Sequence, residues 1–269
     1  MSNDKNLLDH FAKINAGFLH AFGEAGTEKL LQLIEFNIGE SVLEIGFGTG
    51  TTLVKIAAEH KQVKLYGIER SETMLKKAKA RIRFANLQNN ISLIRLETGQ
   101  QFPFANNFFD KIIVESVLAI QDDKSLHFML SEIQRVLKPS GKFYLNETVW
   151  LSSITQEEIE KINAYCKNKF GIIQSNGTHK DREGWKQLLE TNKFNVLELR
   201  PLKDIELKNK EHTLNINEFL SKVYSVYGKI RGKLNAGLKK ESLFYKEAMK
   251  SIFEDKQYLE GIIFVATKR

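Results

Sequence analysis

The chain has 269 residues, of which 42% are hydrophobic and 27% are charged, and its formal net charge is +7. This composition excludes an intrinsically disordered chain and allows a globular protein with a large buried core. The only cysteine is Cys166, which excludes an intramolecular disulfide and a thiolate zinc site and favours a reducing, cytoplasmic setting. No apolar run has the length of a signal peptide or a membrane-spanning helix, so we expect no membrane span.

The positive charge makes nucleic acid and anionic lipid candidate partners of this chain. Five basic residues and no acidic residue lie in the segment 229–240, which we call the basic patch. No motif that combines aromatic and basic residues for nucleic-acid binding accompanies the patch. The pattern is therefore more typical of a solvated lysine surface, and it disfavours nucleic acid as a partner.

Short apolar runs alternate with helical patterns from residue 41 onwards. Strands are predicted over 41–46, 63–69, 91–97, 109–116, 141–148, 195–202 and in the final stretch 258–269. Helical patterns over 51–60, 72–86, 122–137 and 155–170 separate most of them. The alternation predicts βαβ units and a doubly wound, mainly parallel, seven-stranded α/β sheet of the Rossmann-like type.

Four regions are expected along the chain. They are an N-terminal helical segment (1–40), a core (41–202) with a helical insertion at about 151–194, a helical cap (203–257) and the last core strand (258–269). The cap is predicted because a connection of this length with its own apolar periodicity is typical of added helices. The oligomeric state stays open, and the helical cap is the surface through which a dimer is conceivable.

A glycine-rich turn, VLEIGFGTG, follows the first predicted strand. Glycines 46, 48 and 50 allow the backbone to turn tightly and to approach a ligand closely. Thr51 stands where a dinucleotide fingerprint has its third glycine, and Glu44, inside the strand, would repel a pyrophosphate. S-adenosylmethionine carries a sulfonium and an ammonium group and no phosphate, so it suits this turn better. Glu69 ends the second strand, where a carboxylate can accept both hydroxyls of a ribose.

Four motifs occur in order, VLEIGFGTG, YGIERSETML, GQQFPFANNFFDKIIVESVL and LSEIQRVLKPSGKFYLNE. In order and spacing they resemble the successive motifs of class I S-adenosylmethionine-dependent methyltransferases. The resemblance is strongest to the small-molecule branch that includes ubiquinone/menaquinone-type and sterol-type enzymes, and it covers roughly residues 20–150. It implies S-adenosylmethionine as cofactor, S-adenosylhomocysteine as product, and in-line transfer of a methyl group to a small molecule.

The resemblance also implies which residues bind the cofactor. The glycines would wrap the methionine part, Glu44 would help to hold its ammonium group, and Glu69 would bind the ribose. Thr98 departs from the aspartate that the family usually has there, so backbone amides and Gln100 would read the adenine edge. The full predicted set is Glu44, Gly46, Phe47, Gly48, Gly50, Glu69, Arg70, Met74, Thr98, Gly99, Gln100, Glu115 and Ser116.

Candidate catalytic residues are His20, Glu115 and Glu147, with His179 behind them. His20 belongs to a stretch, LHAFGEAGTEKLL, that resembles an N-terminal segment folded over the cofactor in part of the family. A base is needed only where the acceptor loses a proton, and each candidate has a structural alternative, such as a loop-capping role for Glu147. No metal site is predicted.

The sequence lacks three devices that mark other methyl acceptors. These are the Asn/Asp-Pro-Pro-aromatic tetrapeptide of adenine and glutamine methylation, a Pro-Cys pair for cytosine, and the several thiols of arsenite methylation. Ten aromatic residues in and beside 151–194 and 203–257 suggest an apolar or aromatic acceptor bound beneath these segments, or simply a packed helical core. Two alternatives remain open, an RNA methyltransferase that uses the basic patch and a non-catalytic scaffold that binds S-adenosylmethionine.

Overall fold

The computed structural model describes residues 6–20, 22–207, 215–253 and 257–269. The rest of the expected N-terminal segment and helical cap lies outside the described residues. Its strands are β1 (Ser41–Ile45), β2 (Lys64–Glu69), β3 (Ile91–Arg95), β4 (Phe109–Glu115), β5 (Leu137–Trp150), β6 (Phe194–Pro201) and β7 (Leu259–Lys268). Its α-helices are α1 (Leu7–Lys13), α2 (Gly23–Leu31), α3 (Thr51–Glu59), α4 (Glu72–Phe84), α5 (Asp123–Val136), α6 (Gln156–Phe170), α7 (Arg182–Thr191), α8 (Ile216–Leu234) and α9 (Ala236–Phe253).

The seven strands form one sheet in the order β3-β2-β1-β4-β5-β7-β6. Strands β1 to β5 are parallel to one another, whereas β7 lies antiparallel between β5 and β6. The doubly wound, mainly parallel sheet is therefore confirmed. The strand order reverses between β1 and β4, and ligands bind at such a switch point beyond the carboxyl ends of the strands. Ile45 is level with Ile68 of β2 and Val114 of β4, so the three strands end together.

Both faces of the sheet are covered by apolar side chains. In β7, Ile262 and Phe264 belong to one buried cluster while Ile263 and Val265 belong to the other. This alternation follows from the two-residue period of a strand, and burial on both sides explains why the strands read as continuous apolar runs.

The sequence placed the fifth strand at 141–148, but β5 begins at Leu137. Leu137 pairs with Phe109, and the next pair joins Lys142 to Lys111, so the register shifts in between. The extra residues form an irregular stretch around Pro139, which has no N–H to donate to a sheet ladder. The strand thus accommodates both Pro139 and Gly141.

Candidate functional site

A cavity of about 390 Å³ lies beyond the carboxyl ends of β1, β2 and β4. Its lining comes from the loops after β1, β2, β3 and β4, from the first half of α5 and from residues 6–20 of the N-terminal segment. This is the switch point where the sheet order reverses, so the site stands where the fold predicts a ligand. The volume falls in the range of small-molecule sites.

The glycine turn after β1 forms one wall of this cavity. Gly46, Gly48 and Gly50 have φ angles of 73°, 53° and 77°, which L-residues with a Cβ rarely adopt. A Cβ on Gly46 would lie 2.3 Å from Val117 Cγ2, so the turn also needs glycine to pack against the loop after β4. Gly46 and Gly48 line the cavity. Gly50 is the N-cap residue of α3 and does not line the cavity. A Cβ on Gly50 would lie 3.0 Å from the Cβ of Ala78 in α4, so glycine allows the two helices to pack closely.

The Glu69 carboxylate is held at the cavity wall by two backbone donors. The N–H of Gly48 donates to Oε2 at 3.1 Å, and the N–H of Ser71 donates to Oε1 at 2.8 Å. Each carboxylate oxygen has a second acceptor position, so both can still accept a hydrogen bond from a ligand. Burial raises the pKa of Glu69, and the backbone N–H groups oppose that rise. The arrangement fits a pair of neighbouring hydroxyls, as in a ribose.

Glu44 lies in β1 with almost no exposure, and its Oε2 has no hydrogen-bond partner within the described residues. Burial raises the pKa of Glu44 well above its usual range, and the nearby Glu115 and Glu69 carboxylates raise it further. A buried carboxyl of this kind is stabilised in its charged form by a neighbouring cation. The orphan oxygen therefore fits a ligand that brings positive charge into the cavity, as the ammonium and sulfonium groups of S-adenosylmethionine would.

The remaining predicted cofactor residues lie around the same cavity. Met74 is buried at the start of α4, where the Ser71 hydroxyl accepts a hydrogen bond from its N–H and caps the helix. On the exposed rim, Arg70 Nη1 donates to the Thr98 hydroxyl at 3.4 Å. The cavity lining contains every residue of the predicted cofactor set except Gly50.

His20, Thr27 and Glu115 form a chain of hydrogen bonds at the other side of the cavity. The Thr27 hydroxyl lies 3.1 and 3.0 Å from the two Glu115 carboxyl oxygens and 2.8 Å from His20 Nε2. Glu115 also accepts hydrogen bonds from Thr52 Oγ1 and Asn146 Nδ2, both at 3.0 Å. His20 and Glu115 both line the cavity.

This network determines which ring nitrogen of His20 carries the proton when the ring is neutral. Because Glu115 acts as the acceptor of the surrounding donors, the single Thr27 hydroxyl proton goes to Glu115. Thr27 must then accept from His20 Nε2–H, which leaves the lone pair on Nδ1. Nδ1 has no hydrogen-bond partner within the described residues, although it is buried. The hydrogen bond to Thr27 thus holds the ring in one orientation and leaves Nδ1 without a hydrogen-bond partner among the described residues.

Glu147 lies away from the cavity lining, beneath the loop that follows β4. Its Oε1 accepts the N–H groups of Val117 and Leu118 at 3.0 and 2.8 Å. Burial raises its pKa to about 8. Glu147 anchors the loop that carries part of the cavity wall, which favours the loop-capping alternative over a catalytic role.

Arg81 is a fully buried residue that the sequence analysis missed. Its guanidinium donates to the Thr49 carbonyl of the glycine turn at 2.9 Å and to the Asn15 carbonyl of the N-terminal segment at 3.0 Å. It also reaches Ser221 and Ser225 of α8, at 2.8 Å for each nearest oxygen. Burial lowers the pKa of Arg81 to about 10. One side chain therefore joins the cofactor turn, the N-terminal segment and α8.

A signal for Arg81 is visible in the sequence once α4 is known. The buried residues of α4 include Met74, Ala78 and Ile82, and Arg81 falls on the same face. An arginine on the apolar face of a helix needs several acceptors to be satisfied there, which marks it as a structural junction.

The expectation that an acceptor lies beneath 151–194 and 203–257 is not supported by the cavity, because none of its lining residues comes from these segments. Trp150 and Trp185 are fully buried, and Phe170 and Tyr245 pack in an apolar cluster with α1. Tyr165 and Phe244 pack against the same cluster, whereas Phe219 and Tyr227 of α8 are 47% and 61% exposed, and the side chain of Phe253 lies outside the described residues. The aromatic residues of α6, α7 and α9 that the structure describes therefore serve packing, and those of α8 do so only in part.

Comparison with known proteins shows that part of the chain is similar in sequence to methyltransferases. A family model described as a methyltransferase domain matches residues 42–141. The chain is 37% identical over 106 residues to an uncharacterised methyltransferase of Bacillus subtilis, covering 39% of this chain and 54% of that protein. It is 30% identical over 158 residues to a ubiquinone/menaquinone biosynthesis C-methyltransferase of Shewanella frigidimarina, covering 57% and 59%. The matched segment thus spans little more than half the length of these relatives.

Among solved structures, the chain is similar to a geranyl diphosphate C-methyltransferase of Streptomyces coelicolor in complex with Mg²⁺, geranyl-S-thiolodiphosphate and S-adenosyl-L-homocysteine. The TM-score is 0.61 at 14% identity, covering 92% of this chain and 76% of that one. At this identity the likeness concerns the fold. The glycine turn, the sheet order and the family match agree with one another: residues 42–141 match a methyltransferase domain, and the chain has the Rossmann-like fold of S-adenosylmethionine-dependent methyltransferases.

Proposed function

We propose that this chain transfers the methyl group of S-adenosylmethionine to a small molecule that is largely apolar or aromatic. One observation carries the proposal, namely a single cavity lined both by the cofactor-binding positions and by apolar side chains. The apolar part of the lining includes Phe18, Leu19, Ile120, Phe128 and Met129. An acceptor that contacts these residues would share the cavity with the cofactor, as direct transfer requires.

In this proposal the cofactor is held by three kinds of contact. Glu69 accepts hydrogen bonds from the ribose, since two backbone N–H groups already fix its orientation. Glu44 faces the positive charge of the methionine part, because among the described carboxyls that line the cavity it is the one with a buried oxygen that has no hydrogen-bond partner. Phe47 and Met74 contribute apolar contact surface in the cavity. When bound, S-adenosylmethionine supplies the methyl group on a sulfonium, which is displaced in line by the acceptor.

His20 is the proposed base for an acceptor that loses a proton. Its Nδ1 carries the free lone pair, and the chain through Thr27 to Glu115 stabilises the imidazolium formed after proton transfer. A base oriented by a second group and backed by a carboxylate is the arrangement found in many proton-transfer sites. In this assignment Glu115 is a positioning residue, because its oxygens are taken up by Thr27, Thr52 and Asn146.

The RNA alternative has less structural support. The basic patch lies at the end of α8 and the start of α9, and no described residue of 203–257 lines the cavity. An RNA strand bound at the patch would need further contacts to bring a base to the cofactor. A small acceptor needs only the cavity itself.

The test is transfer of labelled methyl from S-adenosylmethionine to a fractionated metabolite and lipid extract and, in parallel, to total RNA. We expect label in one or a few small apolar products. The Glu69→Ala variant should transfer no labelled methyl. The control is Glu190→Gln, on the distant helix α7, which should transfer as much as the unchanged chain. Label in RNA that is lost when Lys229, Arg231 and Lys233 are neutralised would favour the RNA alternative. Cofactor binding without transfer to either pool would favour the scaffold.

A further inference from the structure

Helix α8 packs on the rest of the protein through its small residues. Ser221, Gly228 and Gly232 are its buried positions. A Cβ on Gly228 would lie 2.2 Å from the Ile14 carbonyl oxygen, and one on Gly232 would lie 2.8 Å from Ile14 Cγ2. The close contact with the N-terminal segment therefore requires glycine, and large side chains are excluded from this face.

Large apolar side chains occupy the opposite face of α8. At 3.6 residues per turn they fall within an arc of about 100° and extend along roughly 27 Å of the helix axis. We call them the outer stripe: Ile216, Phe219, Val223, Val226, Tyr227, Ile230 and Leu234, which are between 37% and 81% exposed. A helix on a protein surface normally turns its large apolar side chains inward. An exposed apolar face of this size marks an interaction site.

Basic residues border the outer stripe. Lys229 and Lys233 lie along one flank of the helix, and Lys239 and Lys240 come next at the start of α9, whereas Lys222 on the same flank is paired with Glu24 at 3.1 Å. The sequence contains no acidic residue between Phe219 and Lys240. The only acid on α8, Glu218, is already paired with Lys55 at 2.9 Å and Lys222 at 3.3 Å. The surroundings of the stripe are therefore positively charged.

We propose that the outer stripe and the basic patch bind the surface of an anionic lipid bilayer, with the axis of α8 parallel to the membrane plane. An amphipathic helix bound in this way buries its apolar face at the level of the headgroups while lysines contact the anionic lipids. None of the helices within the described ranges is long and apolar enough to cross a bilayer, so the attachment is peripheral.

The charge distribution selects a membrane over a second copy of the chain. Two α8 helices packed by their outer stripes would bring their lysine flanks together without acids to offset them, which disfavours the dimer considered from the sequence. An anionic surface instead offers many negative groups to the same lysines. The inference rests on exposure and charge alone and does not depend on methyl transfer.

Vesicle co-sedimentation of the full chain tests the proposal. We expect binding to vesicles of phosphatidylcholine mixed with phosphatidylglycerol, much weaker binding to phosphatidylcholine alone, and loss of binding at high salt. Each basic residue near an anionic surface strengthens binding about fivefold, so Lys229→Gln, Lys233→Gln and Lys239→Gln together should weaken it on the order of 100-fold. The matched control neutralises three exposed lysines elsewhere, Lys61, Lys64 and Lys124, and should retain binding to within a few fold.

A second pair of variants tests the apolar contribution. Val226→Ser with Ile230→Ser should weaken vesicle binding at least about tenfold, because each side chain loses its transfer into the lipid interface. Ile38→Ser with Leu197→Ser removes two exposed apolar side chains outside the stripe and should leave binding unchanged. Equal binding to neutral and anionic vesicles, or no binding, would overturn the proposal. So would a dimer in sedimentation analysis that the Val226 and Ile230 substitutions abolish.

Discussion

The two ends of the cavity are built in different ways. At the cofactor end, Glu44, Gly46 and Glu69 lie on or directly after adjacent parallel strands, and each belongs to a short local motif. At the His20 end, the hydrogen-bonded group combines His20, Thr27 and Glu115 from distant parts of the chain. The ends of the strands therefore position the proposed cofactor site. The proposed site of the methyl acceptor depends instead on how the N-terminal segment folds over the cavity.

The largest effect is expected at the His20 end. His20→Ala should lower kcat by at least about 100-fold for an acceptor that loses a proton, within the range typical of general bases. Thr27→Val keeps the shape of the side chain but removes the hydroxyl between His20 and Glu115, leaving only the direct contact of 3.5 Å between His20 Nε2 and Glu115 Oε2. It should therefore lower kcat less and alter the pH dependence of the rate. Affinity for S-adenosylmethionine should stay nearly unchanged in both variants. Steady-state kinetics with calorimetry measures both quantities, and a loss confined to cofactor affinity would contradict the assignment.

The next effect concerns the glycine turn. Gly46→Ala places a Cβ 2.3 Å from Val117 Cγ2, so the turn and the loop after β4 must move apart. A misplacement of this order is expected to lower kcat/KM about 100-fold.

Gly39→Ala is the matched control, since Gly39 also has a positive φ but has nothing within 4 Å of its missing Cβ. It should cost about 1–2 kcal/mol of stability and leave cofactor affinity intact. Steady-state kinetics compares the two variants, and equal kcat/KM in both would contradict a role for the contact between the turn and the loop after β4.

A smaller effect is expected where the two ends are joined. Arg81→Met removes the guanidinium that binds the carbonyls of Thr49 and Asn15 and leaves both acceptors buried. We expect a loss of about 2–4 kcal/mol in the free energy of unfolding and about tenfold in cofactor affinity. Arg81→Lys should restore little of the lost stability and affinity, because one ammonium group cannot bond to the glycine turn, the N-terminal segment and α8 at once. Urea unfolding and calorimetry test this, and full rescue by lysine would contradict it.

The smallest effect is a proton linked to cofactor binding. Because burial raises the pKa of Glu44, part of the free protein carries a protonated Glu44, and a cationic ligand favours the ionised form. Binding should therefore release up to about one proton, and cofactor affinity should rise as the pH increases toward the pKa of the free protein. Calorimetry in buffers of different ionisation enthalpy measures the proton, and Glu44→Gln should abolish its release. The same release in both proteins would contradict this role.

The seven strands, which the sequence predicted correctly, and the position of Gly46 and Glu69 at the cavity share a physical basis. The seven strands follow from apolar runs that two-sided burial requires, and Gly46 and Glu69 follow from the turn and the strand end that a ligand needs at a switch point. These signals lie within a few residues of one another, so no knowledge of the tertiary structure is needed to recognise them.

Tertiary contacts account for what the sequence did not reveal. Nothing local to Thr27 or Asn146 indicates that both donate to Glu115, because these contacts exist only after α2 packs against β5. The aromatic residues of the late helices were ambiguous because the same periodicity describes a packed core and a pocket wall. Arg81 could be recognised only as a polar residue on an apolar helix face.

Binding of the cofactor in this cavity is tested most directly by a calorimetric titration of the full chain with S-adenosylhomocysteine, repeated with Glu69→Ala and Glu69→Gln. Glu69 holds the N–H groups of Gly48 and Ser71 and is placed to accept hydrogen bonds from a ribose. We expect one site per chain, with affinity reduced on the order of 100-fold in Glu69→Ala and less in Glu69→Gln. No binding to the wild-type chain, or equal affinity in all three proteins, would contradict it.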